Sequence, residues 1–281
     1  MNELHVVAST LFTLALATVI TAHAARADDV DEVLRTELNR ISQRRIFFGH
    51  QSVGGNLLDG IRQLSVTANV PLRMVETSGT SSVQSATFGH ALLAQNGEPL
   101  QKLRNFEAAF GNQPSGIDIA LVKFCYVDIT ANTDVKALFN HYITTITALK
   151  AKNPGTTFIH VTVPLTTVQD GVKGGIKRLL GRPPYGFIEN MRREEYNTLL
   201  RLAYRGRESV FDLARAESTK PNGQAETVAW NGDIVPAMVA EYSDDSGHLN
   251  ATGKLRAARE FISVLAAIPV HAAADSPVSE H

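Results

Sequence analysis

The chain has a single cysteine, Cys125, so no disulfide can form within it. No H-E-x-x-H and no cluster of cysteines and histidines at metal-ligand spacing occurs, so the sequence gives no reason to expect a metal, and no cofactor is implied. Net charge is −1 and neither sign is massed in a long run, which removes the usual electrostatic case for nucleic acid or an anionic membrane as partner. Internal repeats are absent. Long apolar runs are almost absent too, the one exception lying at the start of the chain.

That run, Val6 to Thr21, is too short for a comfortable membrane span. It is followed by Ala25-Arg26-Ala27, an A-x-A cleavage pattern, so residues 1–27 read as a secretory signal peptide, although no Lys or Arg precedes the run. The expectation is a periplasmic or secreted protein with no span after cleavage, and the lack of disulfides favours the periplasm. Cleavage after Ala27 leaves 281 − 27 = 254 residues, enough for one large α/β domain, taken as 28–270, with 271–281 as a disordered tail.

Apolar residues recur at helical spacing from Val30 to Ile41, and a short apolar run, Arg45 to Gly49, then breaks into His50-Gln51-Ser52-Val53-Gly54-Gly55-Asn56 before resuming as Leu57, Leu58, Ile61 and Leu64. This spacing predicts a buried strand, a tight turn at Ser52 and a helix. Leu72 to Glu76 predicts a second strand, ending in the small-residue loop Thr77 to Ser82. A helix is expected over Leu100, Leu103, Phe106 and Phe110. Asp118 to Asp128 is the strongest strand candidate, because its apolar residues are nearly continuous, as in a strand covered on both faces. Thr133 is expected to cap the next helix. Thr157 to Leu165 reads as a strand, Ile188 to Tyr204 as a helix, Val210 to Leu213 as a short strand, the region of Trp230 as a loop, and a last helix starts near Asn250. Strands and helices thus alternate about five times, predicting a mainly parallel sheet between helical layers, with ligands outside the carboxyl ends of its strands.

Ser52 therefore falls where the unpaired amides and positive end of a helix meet the edge of a sheet, a position suited to a nucleophile and equally to a simple helix cap. A serine hydroxyl needs a base, and that base an acceptor holding one tautomer. Asp244-Asp245-Ser246-Gly247-His248-Leu249-Asn250 offers both, since Asp245 can reach Nδ1 of His248; turn and capping contacts are the plainer alternative for this pair.

Read together, the Ser52 turn, the glycine loop after the second strand and the Asp-x-x-His before the last helix resemble the SGNH (GDSL-like) hydrolase family. FFGHQSVGGN also resembles the serine block of a divergent bacterial branch with a GHQSVG motif. The resemblance implies a flavodoxin-like α/β/α sandwich with about five strands, Ser52, Asp245 and His248 as catalytic residues, and the Ser52 and Gly79 amides in the oxyanion hole. Two departures stand out. Gln51 replaces the Asp that usually precedes the serine, and Cys125-Tyr126-Val127-Asp128 replaces a block that normally supplies an Asn donor. Tyr126 or Lys123 is the candidate substitute for that donor.

Other polar residues have mainly structural readings: His50 in the turn, with a place in the pocket lining as the alternative, His160 as a hydrogen-bonded core histidine, Cys125 as a buried thiol. Lys173, Lys177, Arg178 and Arg182 lie in the long insert 166–187, which leaves the sheet at the expected site edge and is a candidate lid over an anionic or carbohydrate substrate. The expected function is exported serine esterase or acyltransferase chemistry on O-acyl groups, acetyl esters of carbohydrate foremost. The competing class is a non-catalytic carbohydrate-binding or scaffold protein of the same fold.

Overall fold

The computed structural model describes residues 32–169 and 171–269. The expected signal peptide, 1–27, and tail, 271–281, lie outside the described residues.

A helix over residues 32–42 (α1) leads into β1 (Arg45–His50), whose Ile46, Phe47 and Phe48 are fully buried. Six strands pair in parallel, in the order β2 (Met74–Glu76), β3 (Thr87–Leu92), β1, β4 (Ile119–Val122), β5 (Thr157–Val161), β6 (Val210–Phe211). Strand alternation divides the apolar run of β1 between two cores. Ile46 and Phe48 pack with α1, α2 (Val53–Thr67) and α8 (Ala251–Ala266), whereas Phe47 packs against α3 (Pro99–Phe110) and α4 (Val135–Lys152), in a core that also takes Tyr196 and Leu200 of α6 (Phe187–Tyr204). The result is the three-layer α/β/α sandwich the alternation predicts.

The sheet has six strands where about five were expected. The missed one, β3, is Thr-Phe-Gly-His-Ala-Leu, in which glycine, alanine and polar residues dilute the β-branched and aromatic content that marks a strand. Gly89 belongs there because a Cβ on it would stand 2.4 Å from a methyl of Val83. Strand ends also differ. Asp118–Asp128 pairs only over Ile119–Val122 and then curls into a 3-10 turn at Tyr126–Asp128, Thr157–Leu165 pairs only to Val161, and Val210–Leu213 pairs only over Val210–Phe211 before Asp212 caps a short helix, α7 (Leu213–Ser218). Asp134, not Thr133, caps α4, its carboxylate accepting from the Ala137 amide. The region of Trp230 is a hairpin, β7 (Thr227–Trp230) and β8 (Asp233–Pro236), turned by Asn231-Gly232 with both residues at positive φ. Asn-Gly is a strong two-residue hairpin signal.

Two helices bring distant segments together. α2 and α8 both begin at the carboxyl edge of the sheet and pack so closely that a Cβ on Gly60 would lie 2.5 Å from the Lys254 carbonyl and 2.7 Å from Ala258 Cβ. Small residues at this crossing set the approach. The residues preceding the two helices, Ser52 and His248, are thereby carried to the same rim, and Asn56 Oδ1 fastens them by accepting from the Leu249 amide at 3.0 Å.

Candidate active site

Ser52 sits at φ 51°, ψ −112°, a conformation that an L residue adopts at a cost of about 1–3 kcal/mol and that persists only where neighbours enforce it. Its side chain makes no helix-capping bond. Instead its Oγ lies 2.6 Å from His248 Nε2. His248 Nδ1 lies 2.7 Å from Asp245 Oδ2. A carboxylate can only accept, so the proton is on Nδ1, and Nε2 presents a lone pair to the serine hydroxyl. Asp245 Oδ1 also accepts from the amides of His248 (2.7 Å) and Gly247 (2.9 Å) and from Ser243 Oγ (3.2 Å). Those two backbone N–H bonds, the His248 amide first, and then the imidazole bond hold the Asp245 carboxyl far below the usual range. Ser246 at φ 74° folds the loop back so that one carboxylate serves all of these donors.

At the head of α2, the Gly54 and Gly55 amides bond the Gln51 and Ser52 carbonyls. Among the described residues, the Ser52 and Val53 amides have no such partner. The turn lies between two loops. Leu93, directly after β3, donates its amide to the His50 carbonyl and accepts from Gln51 Nε2 at 2.5 Å, while the Lys123 amide after β4 donates to the Gly49 carbonyl.

The structure does not bring Gly79 to this turn. β2 is the edge strand, and β3 intervenes between it and β1. Gly79 is tucked against α3, where a Cβ would lie 2.8 Å from the Ala109 carbonyl, and its amide donates to Thr77 Oγ1. The expected place in the oxyanion hole is therefore corrected: the neighbour of β1 is the strand the sequence hid. Lys123 is also displaced from the rim, fully buried with its Nζ donating to the Phe124 carbonyl. Tyr126 does reach the site. Its ring meets the His248 ring edge-on at 5.7 Å, and a Cβ on Gly247 would collide with its phenol.

A buried network that the sequence did not reveal ties the flanking loops. Asp128 accepts from Lys102 Nζ (2.6 Å), the Cys125 amide (2.6 Å) and the Gly97 amide (2.7 Å), and Lys102 also donates to Asn96 Oδ1 (3.0 Å). One carboxylate so links the loop after β3, the loop after β4 and α3. His50 is the buried end of β1, 3.2 Å from His90 Nδ1, and burial first, then the neighbouring His90, lowers it to about 3. His160 is a core histidine between Tyr142 and Glu208. Cys125 is buried.

Beside Asp245 a cleft of about 270 Å³ is lined by Tyr126, Thr166, Thr167, Tyr185, Ser246 and Gly247. The insert forms its far wall. Its base is anchored by Asn190 and Arg193, which hold Thr166, and by the Thr167 amide on the Ser246 carbonyl; it then forms α5 (Val172–Leu179) and closes through a bridge between Gln169 and Tyr185. A larger cavity, about 700 Å³, opens at the opposite edge of the sheet between α1 and the end of α8 and includes none of these residues.

No protein-family model matches the sequence, and no curated protein does. The fold is similar to solved structures at low identity. A GDSL-like lipase from Bacteroides thetaiotaomicron is 12% identical over 80% of this chain and 88% of that one, with a TM-score of 0.48. The periplasmic domain of a lipopolysaccharide acetyltransferase from Salmonella ser. Paratyphi A is 13% identical over 78% and 81%, at 0.39. The OSK domain of Drosophila Oskar is 12% identical over 78% and 86%, also at 0.39. These values leave the case for any activity with the side chains themselves.

Proposed function

We propose that the protein is an exported serine esterase or acyltransferase of SGNH type, acting on O-acyl groups, acetyl esters of carbohydrate foremost. The observation that carries the reading is the unbroken relay from Ser52 Oγ to His248 Nε2 at 2.6 Å and from His248 Nδ1 to Asp245 at 2.7 Å. Ser52 attacks the ester carbonyl while His248 takes its proton, and Asp245 steadies the imidazolium. The proton then passes to the departing alcohol, and water or an acceptor hydroxyl releases the acyl-enzyme. The Ser52 amide, with Val53 beside it, supplies the first oxyanion donor, and the loop after β3, which flanks the turn, takes the role that resemblance gave to Gly79. Export rests on the apolar Val6–Thr21 run and the Ala25-Arg26-Ala27 pattern.

Replacing Ser52 by Ala abolishes turnover of a p-nitrophenyl acetate probe if the reading is right, and unchanged turnover by the folded variant rejects it. The displacement of Gly79 and the lack of an Asn in the Cys125–Asp128 block favour one rival, a carbohydrate-binding protein that keeps the fold. Labelling by a fluorophosphonate that depends on Ser52 excludes that rival.

A further inference from the structure

The insert carries an apolar stripe turned the wrong way for a core. Val172, Ile176, Leu179 and Leu180 recur at i, i+4, i+7 and i+8, one face of α5, and are 84%, 54%, 88% and 68% exposed. The opposite side meets the body of the protein through buried Gly174 and through Arg178, which donates to the Ala229 carbonyl and lies over the Trp230 ring. An eight-residue helix is too short to persist alone. Here it is held to the β7–β8 hairpin by Arg178, which is partly buried, and leaves its apolar residues outside. Tyr185, 60% exposed, extends the patch, with Lys177 Nζ seated over its ring. Across the insert, 166–187, Lys173, Lys177, Arg178 and Arg182 stand against a single acidic residue, Asp170, in a protein whose net charge is −1.

An exposed apolar stripe bordered by cations on a short helix is the combination that settles into a lipid headgroup layer: apolar side chains enter the acyl boundary and cations meet anionic headgroups. We propose that α5 and its flanks dock this protein peripherally on an anionic lipid bilayer, with the Ser52 rim turned toward the membrane surface. Among the described residues no helix is long and apolar enough to span a membrane, so the attachment is superficial. The near-neutral sequence argues against such a partner only when charge is averaged over the whole chain. Over the insert four cations face one carboxylate, and screening confines the reach of the rest of the chain's charge to about 10 Å.

Co-sedimentation of the full chain with vesicles of phosphatidylcholine, alone or mixed with phosphatidylglycerol, tests this. Binding is expected to the mixed vesicles, to weaken with salt, and to be absent with phosphatidylcholine alone. The double variants Ile176→Asp/Leu179→Asp and Lys177→Glu/Arg182→Glu should each lower partitioning by about tenfold or more, and Ile176→Asp/Leu179→Asp should leave hydrolysis of a soluble, uncharged ester unchanged. Failure of the native chain to bind mixed vesicles at low salt, equal binding to both vesicle types, or undiminished binding by both variants overturns the proposal. So does a concentration-dependent dimer that Ile176→Asp/Leu179→Asp abolishes in the absence of vesicle binding, since a second copy would then own the face. The Ser52→Ala protein should bind vesicles like the native chain, so docking and the esterase reading fail or stand separately.

Discussion

Replacing Asp245 by Asn tests how much the acid of the proposed triad contributes when it is not buried. The asparagine keeps a carbonyl oxygen for the His248 and Gly247 amides, so the loop retains its shape, but it presents an NH2 or an uncharged acceptor to His248 Nδ1 in place of Oδ2. A hydrogen bond to a charged group is worth about 1.5–3 kcal/mol. Where the acid of such a triad is buried, this exchange lowers turnover about ten-thousandfold. Here the Asp245 side chain is 57% exposed and that of His248 43%, so water screens the ion pair and replaces part of the lost stabilisation of the imidazolium. A loss at the low end of that range, about 1.5–2.5 kcal/mol, corresponds to roughly 10- to 100-fold in kcat at 1.36 kcal/mol per tenfold. The assay is steady-state hydrolysis of p-nitrophenyl acetate by Asp245→Asn beside Ser52→Ala and His248→Ala, with circular dichroism to show that each variant is folded. A folded Asp245→Asn variant as inactive as Ser52→Ala, or as active as the native protein, would refute the argument from exposure.

Lys102→Met removes the cation from a pair whose two side chains are both fully buried, leaving the Asp128 carboxylate with only the Cys125 and Gly97 amides. Breaking a buried pair costs about 3–5 kcal/mol, and the two remaining amides place the expected loss near the lower figure; a shift below about 1 kcal/mol in urea unfolding would show the pair to be energetically idle. Acid stability should depend on groups whose shifts oppose one another. Burial lowers His50 to about 3 and His160 to about 4, so between those values and the ordinary histidine range the unfolded chain binds protons that the native state refuses, and stability falls as pH drops. Burial pushes Glu217 up to about 8, so the native state holds a proton there that the unfolded chain releases above the ordinary carboxylate range, and this contribution rises as pH drops. Glu217→Gln removes the opposing contribution, and between pH 5 and 6.5 stability should then fall more steeply with acidification by about one proton's worth, roughly 1.4 kcal/mol per pH unit. Denaturant titrations at three pH values measure that slope, and an unchanged slope would contradict the placement of a protonated carboxyl in the core.

Much of the fold was legible because it rests on local periodicity. The continuous apolar runs of β1 and β4 and the apolar stripes of α2, α4 and α8 each commit a segment to one element whatever surrounds it, and their alternation commits the chain to a parallel sheet between helices. β3 was not legible. Its glycine is selected by Val83 pressing on it, a contact that no window of sequence displays. The Asn231-Gly232 hairpin did carry a local signal, hidden by the weak alternation of the strands on either side.

The Ser52 turn and the Asp245-x-x-His248 loop are written in adjacent residues, and sequence alone determined that each is a bend before a helix with the right functional groups. Only the tertiary structure decided that the two bends meet, because the distance between Oγ and Nε2 depends on how closely α2 can approach α8, and Gly60 and Ala258 set that approach. It also decided that Gly79 stands aside. A residue's place along the chain fixes its own backbone, but strand order is chosen by side chains far away, and the strand inserted beside β1 moved Gly79 out to the sheet's edge.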